Sequence, residues 1–208
     1  ISKRVLIKGS PMLDISAIIR ELPYVKEIAV VALNNECKEI LTYLEYGYQG
    51  EVIICADNII TKREERVSSF SSTIDKESAA VVKFADKIEG YLHIPNRAIL
   101  KAGFFKTVSE YFSLLKIAKS SHIYTSDIIP ENFPGRTLKV IEVIDFNKKG
   151  IKEVSQKYPK ANIATYNFPI PAQELSKRLK IEDGGNIFII ASTLNDHSKV
   201  LILSQENN

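Results

Sequence analysis

The 208-residue chain is 45% hydrophobic and 25% charged, an ordinary globular composition with length enough for two small domains or one large one. It contains no apolar run near the roughly 18 residues a spanning helix needs, and no basic start followed by an apolar stretch of the secretory kind. Cys37 and Cys55 are too few to staple such a fold and suit reduced thiols in a cytoplasmic protein, while a net charge of +3 points to no partner until its distribution is considered.

Ile1 stands at the start and a strand begins almost at once, so an excised piece of a longer protein is expected. Residues 4–8 (RVLIK) read as a short buried strand ending in the turn Gly9-Ser10-Pro11. Asp14 can cap a helix with Ile15, Ile18, Ile19 and Leu22 at helical spacing, and Pro23 stops it. Residues 27–33 (EIAVVAL) predict a second strand. Asn34 or Asn35 then caps a predicted helix with Cys37, Ile40, Leu41 and Leu44 on one face, ending near Gly47. Residues 51–55 (EVIIC) predict a third strand. This β-α-β-α-β rhythm, with strands apolar on both faces, predicts an open α/β sheet.

The charged residues 61–66 and the serine-rich residues 68–73 read as a strand or irregular excursion leaving that sheet. A short strand follows at 91–94, a helix after Pro95, a second helix over 105–115 and a strand at 122–125; Pro130, Pro134 and Gly135 punctuate a boundary. From Arg136 the pattern is clean. A strand at 136–146 precedes a helix capped by Asn147, with Ile151, Val154 and Tyr158 inward. A strand at 162–168 precedes a helix with Pro171 in its first turn, Ala172, Leu175 and Leu179 inward, and Gly184-Gly185 at its close. A hairpin of 186–194 and 199–204 ends the chain, giving a β-α-β-α-β-β module. The expected organisation is therefore 1–57, an open α/β sheet; 58–133, a linking region; and 134–208, a small α+β module.

Ligands of open α/β sheets sit beyond the carboxyl ends of the strands. Two such ends are polar: Lys8, Ser10 and Asp14 after the first strand, and Asn34, Asn35 and Glu36 after the second. A lysine, side-chain amides and carboxylates there could meet an acceptor group, and helix capping explains Asp14, Asn34 and Asn35 equally well. Cys37 lies on the predicted apolar stripe, which favours a packed thiol over a nucleophile. His93, His122 and His197 are scattered and match no metal-ligand spacing, so no metal site is expected. Residues 136–180 carry ten Lys or Arg against four acids, a net +6 in 45 residues. Lys148, Lys149 and Lys152 share one predicted helix, and Lys177, Arg178 and Lys180 close another. Were both helices on one face, these charges could follow the phosphate backbone of a nucleic acid; the alternative is a solvated surface, with the second set suiting a helix carboxyl end. No KH-type GxxG loop, aromatic RNP strand, glycine-rich cofactor turn or P-loop occurs.

The runs RVLIKGSPMLDI (4–15), VALNNECKEI (31–40), PNRAILKAG (95–103), SHIYTSD (121–127), NFPGR (132–136) and KIEDGG (180–185) together resemble a bacterial family of class I, S-adenosylmethionine-dependent methyltransferases. Members carry a ferredoxin-like insert and a C-terminal THUMP-like domain. The resemblance implies that residues 1–57 are the C-terminal part of a Rossmann-like methyltransferase domain, with the fifth to seventh strands of its sheet within 1–56, that 58–133 hold a linker and the ferredoxin-like region, and that the module from about 134 is THUMP-like. It further implies RNA methylation, on tRNA or rRNA. The family's glycine-rich loop and acidic-proline motif match no residue here, so S-adenosylmethionine is expected in the parent protein only, with the missing N-terminal half as a partner and no catalytic residue assigned. The alternative is a non-catalytic RNA-binding or scaffolding module.

Overall fold

The computed structural model describes residues 2–61, 66–88 and 90–206. The chain folds into two compact units interleaved in sequence: 1–81, 95–111 and 132–135 form the first, and 82–94, 112–131 and 136–208 the second.

The first unit holds a five-stranded sheet of β1 (Arg4–Gly9), β2 (Val25–Leu33), β3 (Glu36–Glu45), β4 (Ile53–Ile60) and β5 (Arg66–Ser72), in the order β1-β3-β2-β4-β5. Helix α1 (Ile15–Glu21) follows β1, with Asp14 as its cap as the sequence predicts. The helix expected after Asn35 is instead the strand β3. Asn34 and Asn35 both adopt left-handed backbone (φ 49° and 67°), the two-residue turn whose twist suits a β-hairpin, and side-chain amides tolerate it. Along β3 burial then alternates, with Ile40 and Thr42 on the core side. The resulting sheet is mixed: β2 and β4 are parallel, while β1–β3, β2–β3 and β4–β5 pair antiparallel. The residues expected to leave the sheet are β5, its edge strand, Ser72 facing Ile54 and Arg66 facing Ile60. Serines suit an edge because one side remains hydrated. Residues 62–65 of that charged stretch lie outside the described residues.

Ile28, Val30, Ile40 and Ile54 are buried in this unit, each worth about 1.5–3 kcal/mol of transfer free energy, with Ala32 and Ala56 filling the space between for less. Helices α2 (Ile74–Ala79), α3 (Arg97–Ala102) and α4 (Lys106–Tyr111) complete it, α3 packing on β2, β3 and β4. The helix predicted over 105–115 stops at Tyr111, because Ser113 turns left-handed (φ 54°) and a strand follows.

The second unit is built on seven strands: β6 (Tyr91–Pro95), β7 (Leu115–Ala118), β8 (Ser121–Ser126), β9 (Gly135–Asp145), β10 (Asn162–Tyr166), β11 (Ile187–Thr193) and β12 (Lys199–Glu206), in the order β10-β11-β12-β9-β6-β8-β7. Strand β10 is parallel to β11; β11–β12, β12–β9, β6–β8 and β7–β8 are antiparallel. Helices α5 (Lys148–Lys157) and α6 (Ala172–Leu179) complete the predicted β-α-β-α-β-β order from β9 onward. Alternate residues of the strands face two cores. Ile189, Ala191, Leu201 and Leu203 join Val154 of α5 and Leu175 and Leu179 of α6. Ile190, Val200 and Ile202 meet Leu92, Ile117 and Ile123, so the sheet curls until β8 lies over β10 and β11, with the buried Ser192 and Ser121 hydroxyls 3.4 Å apart. Two helix ends depart from expectation. Pro171 is extended and caps α6 from outside its first turn, and α6 closes at Leu179 with Lys180 left-handed (φ 55°), before Gly184-Gly185. The Ser176 hydroxyl donates to the Ile181 carbonyl at 2.8 Å, which fixes that early exit.

Candidate functional site

The carboxyl ends of β1, β2 and β4 share one end of the first sheet, since β1 and β2 both run opposite to β3. The six acceptor-side candidates lie at or just after these ends, Lys8 within β1 itself, and each has a partner within the fold. The Lys8 ammonium pairs with Glu39 at 2.7 Å. Ser10 Oγ accepts from Met12 N–H at 3.2 Å. Asp14 accepts from the Ser16 and Ala17 N–H groups, which hold its carboxyl below the usual carboxylate range. The Asn34 amide binds the end of β4 twice: its Nδ2 donates to Thr61 Oγ1 at 2.9 Å and its Oδ1 accepts from Thr61 N–H at 3.1 Å. Asn35 N–H donates to Asn58 Oδ1 at 2.8 Å, and its Oδ1 accepts from Arg97 N–H at 2.7 Å, at the start of α3. Glu36 pairs with Lys38 at 2.8 Å.

Cys37 Sγ lies 3.3 Å from the Arg97 carbonyl, and burial pushes its thiol pKa up despite the cations of Lys101 and Arg97. That is the wrong direction for a nucleophile. Burial, then Glu27 and Asp57, push Cys55 up to about 11. His93 is buried between hydroxyls, Nδ1 3.0 Å from Thr137 Oγ1 and Nε2 2.8 Å from Ser126 Oγ, and burial lowers its pKa to about 4. Among the described residues no group of three or more His, Cys, Asp or Glu could hold a metal, and no helix is long and apolar enough to cross a membrane.

The basic residues are arranged differently. Helices α5 and α6 cover the same face of the second sheet, because Val154, Leu175 and Leu179 enter one apolar cluster. Lys148, Lys149 and Lys152 are exposed and form no ion pair among the described residues. Lys148 and Lys149 also occupy the first turn of α5, where the helix dipole disfavours cations by a few tenths of a kcal/mol to about 1 each. Lys149 and Lys152 line an open hollow with Glu153, Gln156 and Lys157. Gln156 and Lys157 belong to this face by helical spacing alone, a signal present in the sequence and missed. Lys157 is held by Glu142, which with Tyr158 raises its pKa. Lys177 and Arg178 lie in the last turn of α6 and Lys180 at its cap, and the Arg178 guanidinium lies 4.9 Å from the Phe146 ring centroid.

Residues 91–134 match a family described as a ferredoxin-like domain, and residues 135–206 one described as THUMP domain-like. A solved crystal structure described as a "putative methyltransferase" from Porphyromonas gingivalis W83 is similar over 99% of this chain, with a TM-score of 0.93 and 35% sequence identity. This chain covers 52% of that one, so it spans about half its length. No curated protein matches.

Proposed function

We propose that the chain is the substrate-recognition and sheet-completing portion of a methyltransferase-related protein that acts on RNA, tRNA or rRNA, using S-adenosylmethionine. A THUMP-like module and a 35%-identical methyltransferase-like structure fit a methyltransferase-related or RNA-binding role. The observation that carries the RNA reading is the exposed face of α5. Lys148, Lys149 and Lys152 have no carboxylate partner among the described residues, and two of them sit where the helix itself repels them. Polyanion binding offsets that cost and releases counterions. Reversing all three (K148E/K149E/K152E) should weaken RNA binding in a filter assay and flatten its dependence on salt. Equal affinity and equal slope would leave only a solvated surface.

Sheet completion rests on β1. Leu6 is 65% exposed and Met12 87%, with Val5, Ile7 and Leu13 also open, and the strand is an edge. A strand apolar on both faces suits the interior of a covered sheet. The three strands expected from the sequence are β1, β2 and β4, and β3, reached by the Asn34-Asn35 hairpin, is inserted between β1 and β2. The residues after β1 do not form a glycine-rich cofactor turn: Leu13 Cδ1 packs over Gly9, 2.6 Å from where a Cβ would stand, and no further glycine precedes α1. On this reading S-adenosylmethionine is held by another part of the longer protein.

The alternative, a non-catalytic RNA-binding or scaffolding module, is favoured by one observation: every acceptor-side candidate already has a partner in the fold. Methyl transfer to RNA by the intact protein, assayed with labelled cofactor, separates the two readings.

A further inference from the structure

At the opposite end of the first sheet lies an aromatic and cationic group that the reading above does not use. Tyr24 and Tyr46 pack together with ring centroids 5.2 Å apart and planes tilted by 59°. Tyr24 adopts left-handed backbone (φ 59°), an outlier for a bulky residue, and this turn leads α1 into β2 with the ring against Tyr46. The loop bearing Tyr46 is fixed as well, its N–H donating to the Lys3 carbonyl at 2.9 Å and Tyr48 N–H to the Glu45 carbonyl at 2.9 Å. Tyr46 is nevertheless 71% exposed. Beside it, Lys26 lies 2.8 Å and Arg4 3.9 Å from the single carboxylate of Glu45, so two cations share one anion and a positive charge is left over. The Lys26 ammonium also stands 5.6 Å from the Tyr48 ring centroid.

We infer that Tyr46, backed by Tyr24, is a stacking platform for an unpaired base of RNA, with Lys26 and Arg4 beside its phosphate. A rigid, exposed aromatic ring flanked by surplus positive charge is the chemistry that holds single-stranded nucleic acid: the ring takes any base by its face, and the cation takes the backbone. RNA carries a phosphate beside every base, so ring and cations are met together by any nucleotide, whereas a second protein would need a carboxylate placed beside its apolar contact. This inference rests on the RNA reading, and the two can fail separately.

The test is fluorescence anisotropy of the chain with a labelled oligoadenylate of about 12 nucleotides. The wild type is compared with Tyr46→Ala, Tyr46→Phe, Tyr24→Gly and the triple lysine reversal. Tyr46→Ala should weaken binding roughly tenfold while Tyr46→Phe stays within about twofold, because stacking needs the ring and not its hydroxyl. The salt slope should be unchanged in Tyr46→Ala and reduced in the lysine variant, since a stacked base releases no counterion. Tyr24→Gly keeps the left-handed turn at no steric cost and removes only the backing ring, so it should lose part of the affinity with its fold intact. Wild-type affinity in Tyr46→Ala beside a weakened lysine variant would refute the platform and leave RNA binding standing. Equal losses in the Ala and Phe variants would also refute stacking. No binding by the wild type would overturn both readings.

Discussion

Gly150 shows how one position can be dictated by backbone approach. It sits in the first turn of α5, and a β-carbon there would overlap the Asp145 carbonyl oxygen and come within 2.8 Å of Ile144 Cγ2. Backbone cannot give way as a flexible side chain can, so Gly150→Ala should cost about 1–3 kcal/mol in urea unfolding despite alanine's better helix propensity. Retained stability would mean that α5 shifts freely. His93 makes a second residue-scale prediction. Its folded pKa of about 4 lies below the ordinary 6.5, so the fold holds the neutral ring and the unfolded chain binds the proton at higher pH. The resulting stability is complete above about pH 6.5 and is lost as pH falls toward 4, amounting to about 3 kcal/mol at most. Carboxylates add their own acid response, so the measurement is the difference between wild type and His93→Gln across that window. Parallel curves would remove His93 from the account. Of the residues singled out in the sequence, Asp14 and Asn147 were readable as caps because the chemistry is local. The partners of Asn34, Asn35 and Lys8, at Thr61, Arg97 and Glu39, depend on strand pairing that no local pattern encodes.

At the scale of elements, Glu77 governs α4. Its carboxylate accepts from Phe105, Lys106 and Thr107 N–H at 3.0, 2.8 and 2.9 Å and from the Thr107 hydroxyl at 2.7 Å, so a residue of α2 caps the start of another helix. Glu77→Ala should cost about 2 kcal/mol, and hydrogen exchange should show the loss first in residues 105–109. Uniform exchange across the unit would contradict a local clamp. The elements also explain where the sequence misleads. Cys37, Ile40, Leu41 and Leu44 satisfy helical spacing, yet Ile40, Thr42 and Leu44 equally satisfy the two-residue spacing of a strand. The deciding signal was the Asn-Asn pair, which suits a helix cap singly but a hairpin turn when both residues turn left-handed. Strand β5 was obscured for another reason: serine carries little apolar signal, and the edge position that tolerates it is set by β4. The element order from β9 to β12 was legible because α5 and α6 each bury a stripe at helical spacing and β11 and β12 are continuous apolar runs, while the ends of α6 were not.

For the whole molecule, sequence order and spatial grouping diverge. Residues 95–111 lie between two strands of the seven-stranded sheet and yet belong to the unit of the five-stranded one. Continuous modules are the natural reading of a linear pattern, and nothing in the composition of 95–111 marks the excursion. What the pattern of β1 does carry is its apolar character on both sides, and the structure leaves that strand as an edge with Leu6, Met12 and Leu13 open to water. An exposed apolar edge offers unpaired backbone groups and an uncovered surface together, the combination that drives strands to pair with another chain. The 208-residue chain should therefore associate with itself as its concentration rises, as sedimentation velocity would report. Leu6→Lys should suppress this association with little change in thermal stability, because the side chain is already mostly in water and a charged edge resists pairing. The same substitution in a longer protein that covers β1 should act in the opposite direction, lowering stability by placing an unpaired charge inside a sheet. A chain that stays monomeric at the highest concentration reached, and a longer protein indifferent to Leu6→Lys, would together mean that β1 is a finished edge, and sheet completion would have to be given up.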